Sequence, residues 1–197
     1  MGYLNQRLYV EKYIPEAFGP VIEIGSKDYG STENFRRFFG GQEYAGVDME
    51  DGPNVDVVAD LVEGTGTLPL RHFDVGICLS VLEHVRKPWI MAENLSALIR
   101  PGGRLCISVP WVWPYHAYPD DYYRFSWRGI AELFPDFDWA HHCFSTTIDG
   151  EFIAIDPESR DKNAAMRIAR RVWGRGKRSY LPYMMVNMVG TKSGESL

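Results

Sequence analysis

Side chains that could remove or stabilise a proton lie close together in the segment 110–129, where they are His116, Asp120, Asp121 and Arg124. An imidazole has a pKa near neutrality, so it can take a proton from a hydroxyl group, and a carboxylate can orient or replace it. We therefore predict His116 as a general base and Asp121 as a second catalytic residue. His84, in the sequence Leu-Glu-His-Val, is a rival base, although a histidine there could simply form a hydrogen bond within a turn.

Aromatic side chains surround these polar groups. Flat apolar faces suit the C–H surfaces of a sugar ring, and paired acids suit its hydroxyl groups. The residues predicted to bind substrate are Trp113, Tyr115, Asp120, Tyr122, Tyr123 and Arg124. In the competing interpretation most of the rings fill a junction between sheet and helix, and Asp121 forms a local ion pair with Arg124.

Metal ligation is a further use of the same side chains. His116, Asp120 and Asp121 could together hold a hard cation that orients a diol. His141 and His142 are adjacent on a predicted strand, where neighbouring side chains point to opposite faces, so they cannot form one simple ligand pair. The sequence leads us to predict no metal site.

The elements that must position these groups alternate between short apolar runs and helix-like segments from about residue 20 to residue 134. This alternation is typical of βαβ units around a parallel sheet. Predicted strands cover 20–25, 44–49, 55–60, 73–80, 104–110, 138–148 and 183–192, and predicted helices cover 88–100 and 127–134. We predict one α/β domain over 1–197, a Rossmann-like, doubly wound sheet of seven strands, mostly parallel with an antiparallel last strand. A helical extension, 1–19, precedes this sheet, and a basic insertion, 149–180, precedes its last strand.

A nucleotide-like ligand is expected at the carboxyl ends of these strands, where ligands of doubly wound sheets bind. Gly25 follows the first strand and would let the backbone approach a ligand closely, while Glu23 and Asp48 are expected to face the same crevice. A dinucleotide site would favour G-x-G-x-x-G, but Lys27 and Asp28 occupy this loop. An acidic loop disfavours a pyrophosphate and suits a cationic sulfonium, so a nicotinamide cofactor ranks second.

A family resemblance is carried by the ordered segments VIEIGSKDYG, YAGVDM, VDVVADL, FDVGICLSVLEHV and LIRPGGRLCISVP. Together they resemble the small class I methyltransferases that use S-adenosyl-L-methionine (SAM), over residues 20–134. The resemblance implies that the methionine part of SAM is held by Glu23, Gly25, Ser26, Gly30, Leu79 and Ser80, its ribose by Asp48, and its adenine by Met49, Asp60 and Leu61. Lys27 departs from the common E/D-x-G-x-G-x-G form, and Gly30 is displaced by one position. From its place alone, Asp60 could instead cap the following turn.

The motif H-x-x-P-D-D-Y-Y-R-F-S, which begins at His116, is similar to a subgroup of these methyltransferases associated with surface glycans and modified sugars. The resemblance implies an O-methyltransferase that acts on a hydroxyl of a sugar or glycan, with S-adenosyl-L-homocysteine (SAH) as product. A non-catalytic regulatory or scaffold protein that keeps the SAM pocket is the alternative.

Charge and composition narrow the partners. A net charge of −5 and a pI near 5.5 disfavour broad attraction to nucleic acid or anionic lipid, so we expect a small-molecule or glycan acceptor and no nucleic acid. The segment 160–178 is locally basic and either helps hold an anionic acceptor or forms a solvated helix face.

The remaining features of the sequence concern its location and its cysteines. No apolar run is long enough for a transmembrane segment, which favours a cytoplasmic protein. Nothing in the sequence indicates an oligomeric state, and Cys78, Cys106 and Cys143 are expected to be buried reduced thiols.

Overall fold

The chain forms one α/β sheet with its helices packed on both faces. The computed structural model describes residues 3–15, 19–30, 33–117, 119–155 and 183–194. The strands are β1 (Val21–Ile24), β2 (Tyr44–Asp48), β3 (Val57–Val58), β4 (Phe73–Leu79), β5 (Ile99–Val112), β6 (Phe137–Ser145), β7 (Phe152–Ala154) and β8 (Met184–Lys192). The helices are α1 (Tyr3–Tyr13), α2 (Pro88–Leu98) and α3 (Trp127–Leu133), and shorter 3₁₀ helices cover Phe35–Phe39 and Leu82–His84.

Strands β1 to β5 run parallel to one another, so their carboxyl ends lie at one edge of the sheet. Alternate residues of β1 enter two different cores, because successive side chains of a strand point to opposite faces. Ile22 and Ile24 pack with α2 and α3 in one core. Val21 packs with Tyr9 and Ile14, from α1 and the residue after it, in the other. The predicted doubly wound arrangement is confirmed.

The predicted number of seven strands is wrong, because the described residues already form a sheet of eight strands, in the order β3-β2-β1-β4-β5-β8-β6-β7. The additional strand is β7, which pairs antiparallel with the end of β6 and lies inside the stretch 149–180 that the sequence assigns to an insertion. The antiparallel last strand is confirmed, since β8 lies between β5 and β6 and is antiparallel to both. The basic segment 160–178 lies outside the described residues, so its role stays a prediction.

Local signals in the sequence determine where the helices begin. Pro88 occupies the first turn of α2. The hydroxyl oxygen of Ser126 accepts the N–H of Gly129 at 3.0 Å and so caps α3. The end of α2 differs from the prediction because β5 already begins at Ile99 and continues through the Pro-Gly-Gly sequence, where Gly102 has a φ of +77°.

All three cysteines are buried and free, as predicted. Burial raises the pKa of the Cys143 thiol to about 12, so this thiol stays protonated near neutral pH. Within the described ranges, no helix combines the length and the apolar character needed to cross a bilayer.

Candidate active site

A cavity of about 770 Å³ lies at the carboxyl ends of β1, β2, β4 and β5. This volume is in the range of pockets that hold small molecules and cofactors. The predicted site residues that line it are Gly25, Asp48, Met49, Asp60, Leu61, Leu79, Ser80, His84, Trp113 and His116. Gln6 and Glu83 also line the cavity, although the sequence singles out neither of them. The structure therefore brings residues from the predicted cofactor set and the predicted catalytic set into one cavity.

The loops after β1 and β2 form one part of the lining. Gly25 has a φ of +75°, which glycine adopts readily, and a Cβ at this position would lie 2.4 Å from Cγ2 of Val81. The carboxylate of Asp48 joins the two loops, because Oδ2 accepts the N–H of Lys27 at 3.2 Å and Oδ1 accepts the N–H of Glu50 at 3.1 Å. A carboxylate has about four acceptor positions, so Asp48 keeps capacity for the hydroxyl groups of a ligand.

The residues predicted to lie near adenine form the adjoining wall. Met49, which is 58% exposed, and Leu61, which is buried, both line the cavity and give this wall an apolar surface. Oδ1 of Asp60 accepts the N–H of Val62 at 2.8 Å, which means that the capping interaction considered in the sequence is present. The carbonyl of Leu61 accepts a hydrogen bond from the side chain of Asn94 at 2.7 Å, and this contact fixes the turn against α2.

Gln6 brings α1 into the site. Its Nε2 donates to Oγ of Ser80 at 2.8 Å and to Oγ of Ser108 at 3.2 Å, so it joins the helix to the residue after β4 and to β5. Ser80 has a φ of +55°, which is uncommon for a residue other than glycine. Gln6 is only 3% exposed, and the one signal in the sequence was its place in the predicted helical extension 1–19.

Glu23, Ser26 and Gly30 are not part of the lining that the described residues form, and for Glu23 this differs from the expectation that it faces the crevice. Glu23 follows Val21 by two positions in β1, so it shares the face that packs toward α1. Its Oε2 accepts the hydroxyl of Tyr44 at 2.6 Å. The structure gives Glu23 a role in packing, and the contacts of these three residues with SAM stay predictions.

Burial raises the pKa of Glu23 to about 7, against the opposing effects of the Tyr44 hydroxyl and of Arg36. A carboxyl group whose pKa is higher in the folded state takes up a proton on folding, so it stabilises the fold at low pH and this contribution is lost as the pH rises through about 7. We predict that Glu23 alone lowers the free energy of unfolding by about 2 to 3 kcal/mol between about pH 5 and pH 8. Glu23→Gln should remove most of this fall.

Urea unfolding followed by tryptophan fluorescence over this pH range measures the effect of Glu23→Gln. Glu43→Gln is the matched control, because the Glu43 side chain is 60% exposed. Parallel stability curves for the wild type and Glu23→Gln would contradict the prediction.

Glu83, His84 and His116 form a cluster in a second part of the lining. Nε2 of His84 lies 3.9 Å from Oε1 of Glu83, and Nε2 of His116 lies 4.0 Å from the same oxygen. The two imidazole rings meet edge to face, with their centroids 5.0 Å apart. The distances exceed those of direct hydrogen bonds, so the cluster leaves room for a small group between the three side chains.

The hydrogen bonds at the far side of each imidazole determine its tautomer. Nδ1 of His84 lies 2.6 Å from the carbonyl oxygen of Asp120. Nδ1 of His116 lies 3.1 Å from Oδ2 of Asp121 and 3.2 Å from the carbonyl oxygen of Pro114. Because these oxygens only accept, each neutral ring carries its proton on Nδ1, and Nε2, which lies near Glu83, carries the lone pair.

Glu83 is fully buried, and neither of its carboxylate oxygens has a hydrogen-bond partner among the described residues. Burial raises the pKa of this carboxyl to about 8, with Asp121 adding to the increase and Arg124 opposing it. The backbone carbonyl of Glu83 accepts the N–H groups of Tyr122 at 2.8 Å and of Tyr123 at 3.2 Å. These bonds hold the loop before α3 against the cluster.

Asp121 and Arg124 form a bidentate ion pair, with Nη1 to Oδ1 at 2.5 Å and Nη2 to Oδ2 at 2.7 Å. The Arg124 guanidinium holds the pKa of the Asp121 carboxyl well below its usual range. Oδ2 of Asp121 also accepts the N–H of His116 at 2.8 Å. The local ion pair considered in the sequence is therefore present. Asp121 does not line the cavity, and its carboxylate contacts both the backbone N–H and the ring of His116, which does.

Among the residues predicted to bind substrate, only Trp113 belongs to the cavity lining that the structure describes. Tyr115 is 70% exposed, and its hydroxyl donates to Oδ1 of Asp120 at 3.2 Å. The Tyr123 hydroxyl donates to the carbonyl of Arg86 at 3.1 Å. Tyr122 is 39% exposed. These side chains are not part of the cavity lining, although they lie within four positions of the lining residues Ala117 and Pro119.

Comparison with known proteins gives partial sequence matches. No protein-family profile matches the chain. An uncharacterized methyltransferase of Mycobacterium sp. (strain KMS) is 37% identical over 84 residues, which cover 38% of this chain and 33% of that protein. A ubiquinone biosynthesis O-methyltransferase of Pectobacterium atrosepticum is 27% identical over 124 residues, which cover 55% of this chain and 47% of that protein. The chain thus spans about a third to about half of the length of these curated relatives.

Solved structures match over almost the whole chain. One match is a 1,6-didemethyltoxoflavin-N1-methyltransferase of Burkholderia thailandensis with S-adenosylhomocysteine bound. The aligned region covers 96% of this chain and 77% of that protein, with a TM-score of 0.63 and 15% identity. A second match is a SAM-dependent methyltransferase of Archaeoglobus fulgidus, where the aligned region covers 96% of this chain and 93% of that protein, with a TM-score of 0.63 and 16% identity. The chain therefore has the Rossmann-like α/β fold of SAM-dependent methyltransferases.

Proposed function

We propose that this chain transfers a methyl group from SAM to an oxygen of a small polar acceptor, and that the acceptor is a hydroxyl of a sugar or glycan. The observation that carries the proposal is the single cavity that joins Asp48, at the end of β2, to the cluster of Glu83, His84 and His116. The methyltransferase names of the sequence relatives and the SAH bound in a structural neighbour support the reaction and the cofactor. The ubiquinone relative supports oxygen as the methylated atom.

The residues at the Asp48 end fit SAM. Asp48 keeps acceptor capacity for ribose hydroxyls, and Met49 and Leu61 offer apolar surface to a purine. The ammonium group of Lys27, which also lines the cavity, is neutralised by Glu50 at 2.7 Å, so it repels a sulfonium only weakly.

Bound SAM supplies a methyl group on a sulfonium, and the electron pair of the broken C–S bond stays on sulfur as SAH forms. The chain must align the acceptor oxygen, exclude water and take up the hydroxyl proton. Nε2 of His116 can receive this proton, because Asp121 and the Pro114 carbonyl hold the other ring nitrogen as a donor. His84 is the second candidate, and burial lowers its pKa.

The surroundings of the cluster support a sugar or glycan as acceptor. Trp113 lines the cavity and packs on Tyr183 with ring centroids 5.0 Å apart, so it presents a fixed aromatic surface. Glu83 and the imidazoles offer polar partners to hydroxyl groups. The exposed rings of Tyr115 and Tyr122 could contact only those parts of an acceptor that extend beyond the cavity.

Calorimetric titration with SAM, with SAH and with NADH tests the cofactor assignment. We expect saturable one-to-one binding of SAM and SAH and no binding of NADH. Failure of SAM and SAH to bind would overturn the proposal. Binding of SAM without formation of SAH in the presence of a panel of sugars, glycosides and phenols would favour a non-catalytic SAM-binding protein.

Asp48→Asn should weaken SAM binding by about tenfold to a hundredfold, because hydrogen bonds to a charged acceptor contribute about 1.5 to 3 kcal/mol. The same titration measures the change. Asp51→Asn is the matched control, since Asp51 is an exposed acid of the loop that follows β2. Equal affinities of Asp48→Asn and Asp51→Asn for SAM would remove Asp48 from the binding site.

A further inference from the structure

The cluster at the acceptor end offers a set of metal-ligating atoms. One carboxylate oxygen of Glu83 and one imidazole nitrogen each of His84 and His116 all lie within 4.8 Å of one another. Two imidazoles and one carboxylate are the protein ligands of several catalytic zinc and non-haem iron sites, which leave coordination positions open for substrate.

The carboxylate of Glu83 lacks a partner in the metal-free cluster. It is 0% exposed, and its two oxygens accept no hydrogen bond from any described residue. A buried carboxyl group without hydrogen-bond partners is costly, and a bound cation is one of the groups that can compensate it. Glu83 therefore points to a ligand between itself and the two imidazoles.

The contacts behind both imidazoles are those of metal-binding histidines. Such histidines donate their second ring N–H to a carbonyl or carboxylate, which fixes the ring and makes the ligating nitrogen more basic. His84 donates to the carbonyl of Asp120, and His116 faces the carboxylate of Asp121. Both Nε2 atoms lie within 4.0 Å of the same oxygen of Glu83.

The spacing requires only a small inward movement. Ligand atoms at about 2.1 Å from an ion lie about 3.0 to 3.5 Å apart, whereas the Nε2 atoms lie 3.9 and 4.0 Å from Oε1 of Glu83. His116 lies in an irregular segment, and its side chain is 35% exposed. Closure on an ion therefore needs no change in the sheet.

We propose that Glu83, His84 and His116 bind one divalent transition-metal ion, with the ligand preference of Zn²⁺, Fe²⁺ or Mn²⁺, in the wall of the cavity. This reverses the expectation from sequence, where the ligands considered beside His116 were Asp120 and Asp121. Asp121 is paired with Arg124, and Oδ1 of Asp120 accepts the N–H of Asp121 at 2.9 Å. Glu83 supplies the carboxylate instead.

The catalytic role of the ion rests on the proposed function, whereas its binding does not. A hydroxyl group in contact with a divalent cation loses its proton more easily, so the ion would activate an acceptor oxygen for attack on the methyl group. With the ion bound, His84 and His116 would serve as ligands and not as the base, and the hydroxyl proton would pass to solvent water at the mouth of the cavity.

Metal binding by the full chain tests the proposal directly. The protein is stripped with EDTA, dialysed and titrated with Co²⁺, followed by visible absorption, and with Zn²⁺, followed by calorimetry. We expect one ion per chain. His84→Ala and His116→Ala should each weaken binding by about a hundredfold or more, and Asp121→Asn by about tenfold to a hundredfold through the orientation of His116.

Glu83→Gln keeps the shape of the side chain and should also weaken binding, and thermal unfolding of each variant shows whether it folds. His72→Ala is the control, because His72 forms a surface pair with Glu43, and it should bind the ion like the wild type. Absence of stoichiometric binding, or equal binding by the wild type, His84→Ala and His116→Ala, would overturn the metal site. The SAM titration is independent, so loss of one result does not imply loss of the other.

Discussion

His116→Ala should lower kcat by about a hundredfold or more while SAM affinity changes by less than about threefold. Positioned general-base catalysis contributes about 10² to 10⁴ in rate, and loss of a ligand from a catalytic metal would cost at least as much. SAM affinity should be kept because Asp48 and Met49 belong to the other part of the lining. The measurement is SAH formation with the acceptor that gives the highest rate in the panel, together with calorimetric titration of SAM.

His72→Ala is the control for this experiment as well, since it removes an imidazole at the surface. The comparison with His84→Ala is informative, because burial lowers the pKa of His84 and its Nδ1 already bonds to the Asp120 carbonyl. A general base acting alone predicts that His116→Ala is much more damaging than His84→Ala. A bound metal predicts similar losses, and normal turnover in both variants would remove the cluster from the reaction.

The part of the cavity lining that follows β1, β2 and β3 was predictable, because its residues follow those strands directly in sequence. Gly25, Asp48 and Asp60 each stand at or just after the carboxyl end of a recognisable apolar run, so the topology of a parallel sheet brings them together. Glu23 was placed on the wrong side because the prediction considered its position near the strand end and not the alternation of β1. Its distance of two residues from Val21 puts it on the α1 face, against Tyr44.

Glu83 and Gln6 could not be found in the same way. Glu83 lies in a short 3₁₀ helix between Leu82 and His84, where an acid usually reaches solvent. Its burial follows from the loop before α3, whose N–H groups at Tyr122 and Tyr123 bond to the Glu83 carbonyl. Gln6 reaches Ser80 across 74 positions of sequence, and no local pattern encodes that contact.

The strand that the sequence did not predict, β7, also depends on contacts that no local pattern indicates. β7 has the three-residue sequence Phe-Ile-Ala and pairs with the end of β6, and it is too short for a period-two pattern to stand out. The long strands β4, β5 and β8 were predictable because they are buried over most of their length. Edge strands depend on their neighbour, and sequence alone indicates them poorly.

Arg124→Met should lower the free energy of unfolding by about 3 to 5 kcal/mol, because it leaves a buried carboxylate without its cation. The Asp121 side chain is only 1% exposed, and Arg124 donates to both of its oxygens. Arg124 also donates to the carbonyls of Trp113 and Pro114, so the segment that carries His116 loses further support. Urea unfolding followed by tryptophan fluorescence measures the loss, with Arg128→Met, an exposed position on α3, as the control.

The pH dependence of that loss separates an unpaired charge from a simple packing defect. In the wild type the pKa of Asp121 is lower in the folded state than in the unfolded state, so the ionised carboxylate stabilises the fold at pH values above the ordinary pKa of an aspartate. This contribution is lost only as the pH falls through the lowered pKa of the folded state. In Arg124→Met the carboxyl can protonate at higher pH, so the stability gap to the wild type should narrow between about pH 7 and pH 4. Asp121→Asn combined with Arg124→Met should likewise recover part of the stability at pH 7. A gap that is constant with pH and unaffected by Asp121→Asn would show that packing of the arginine stem, and not its charge, supports the loop.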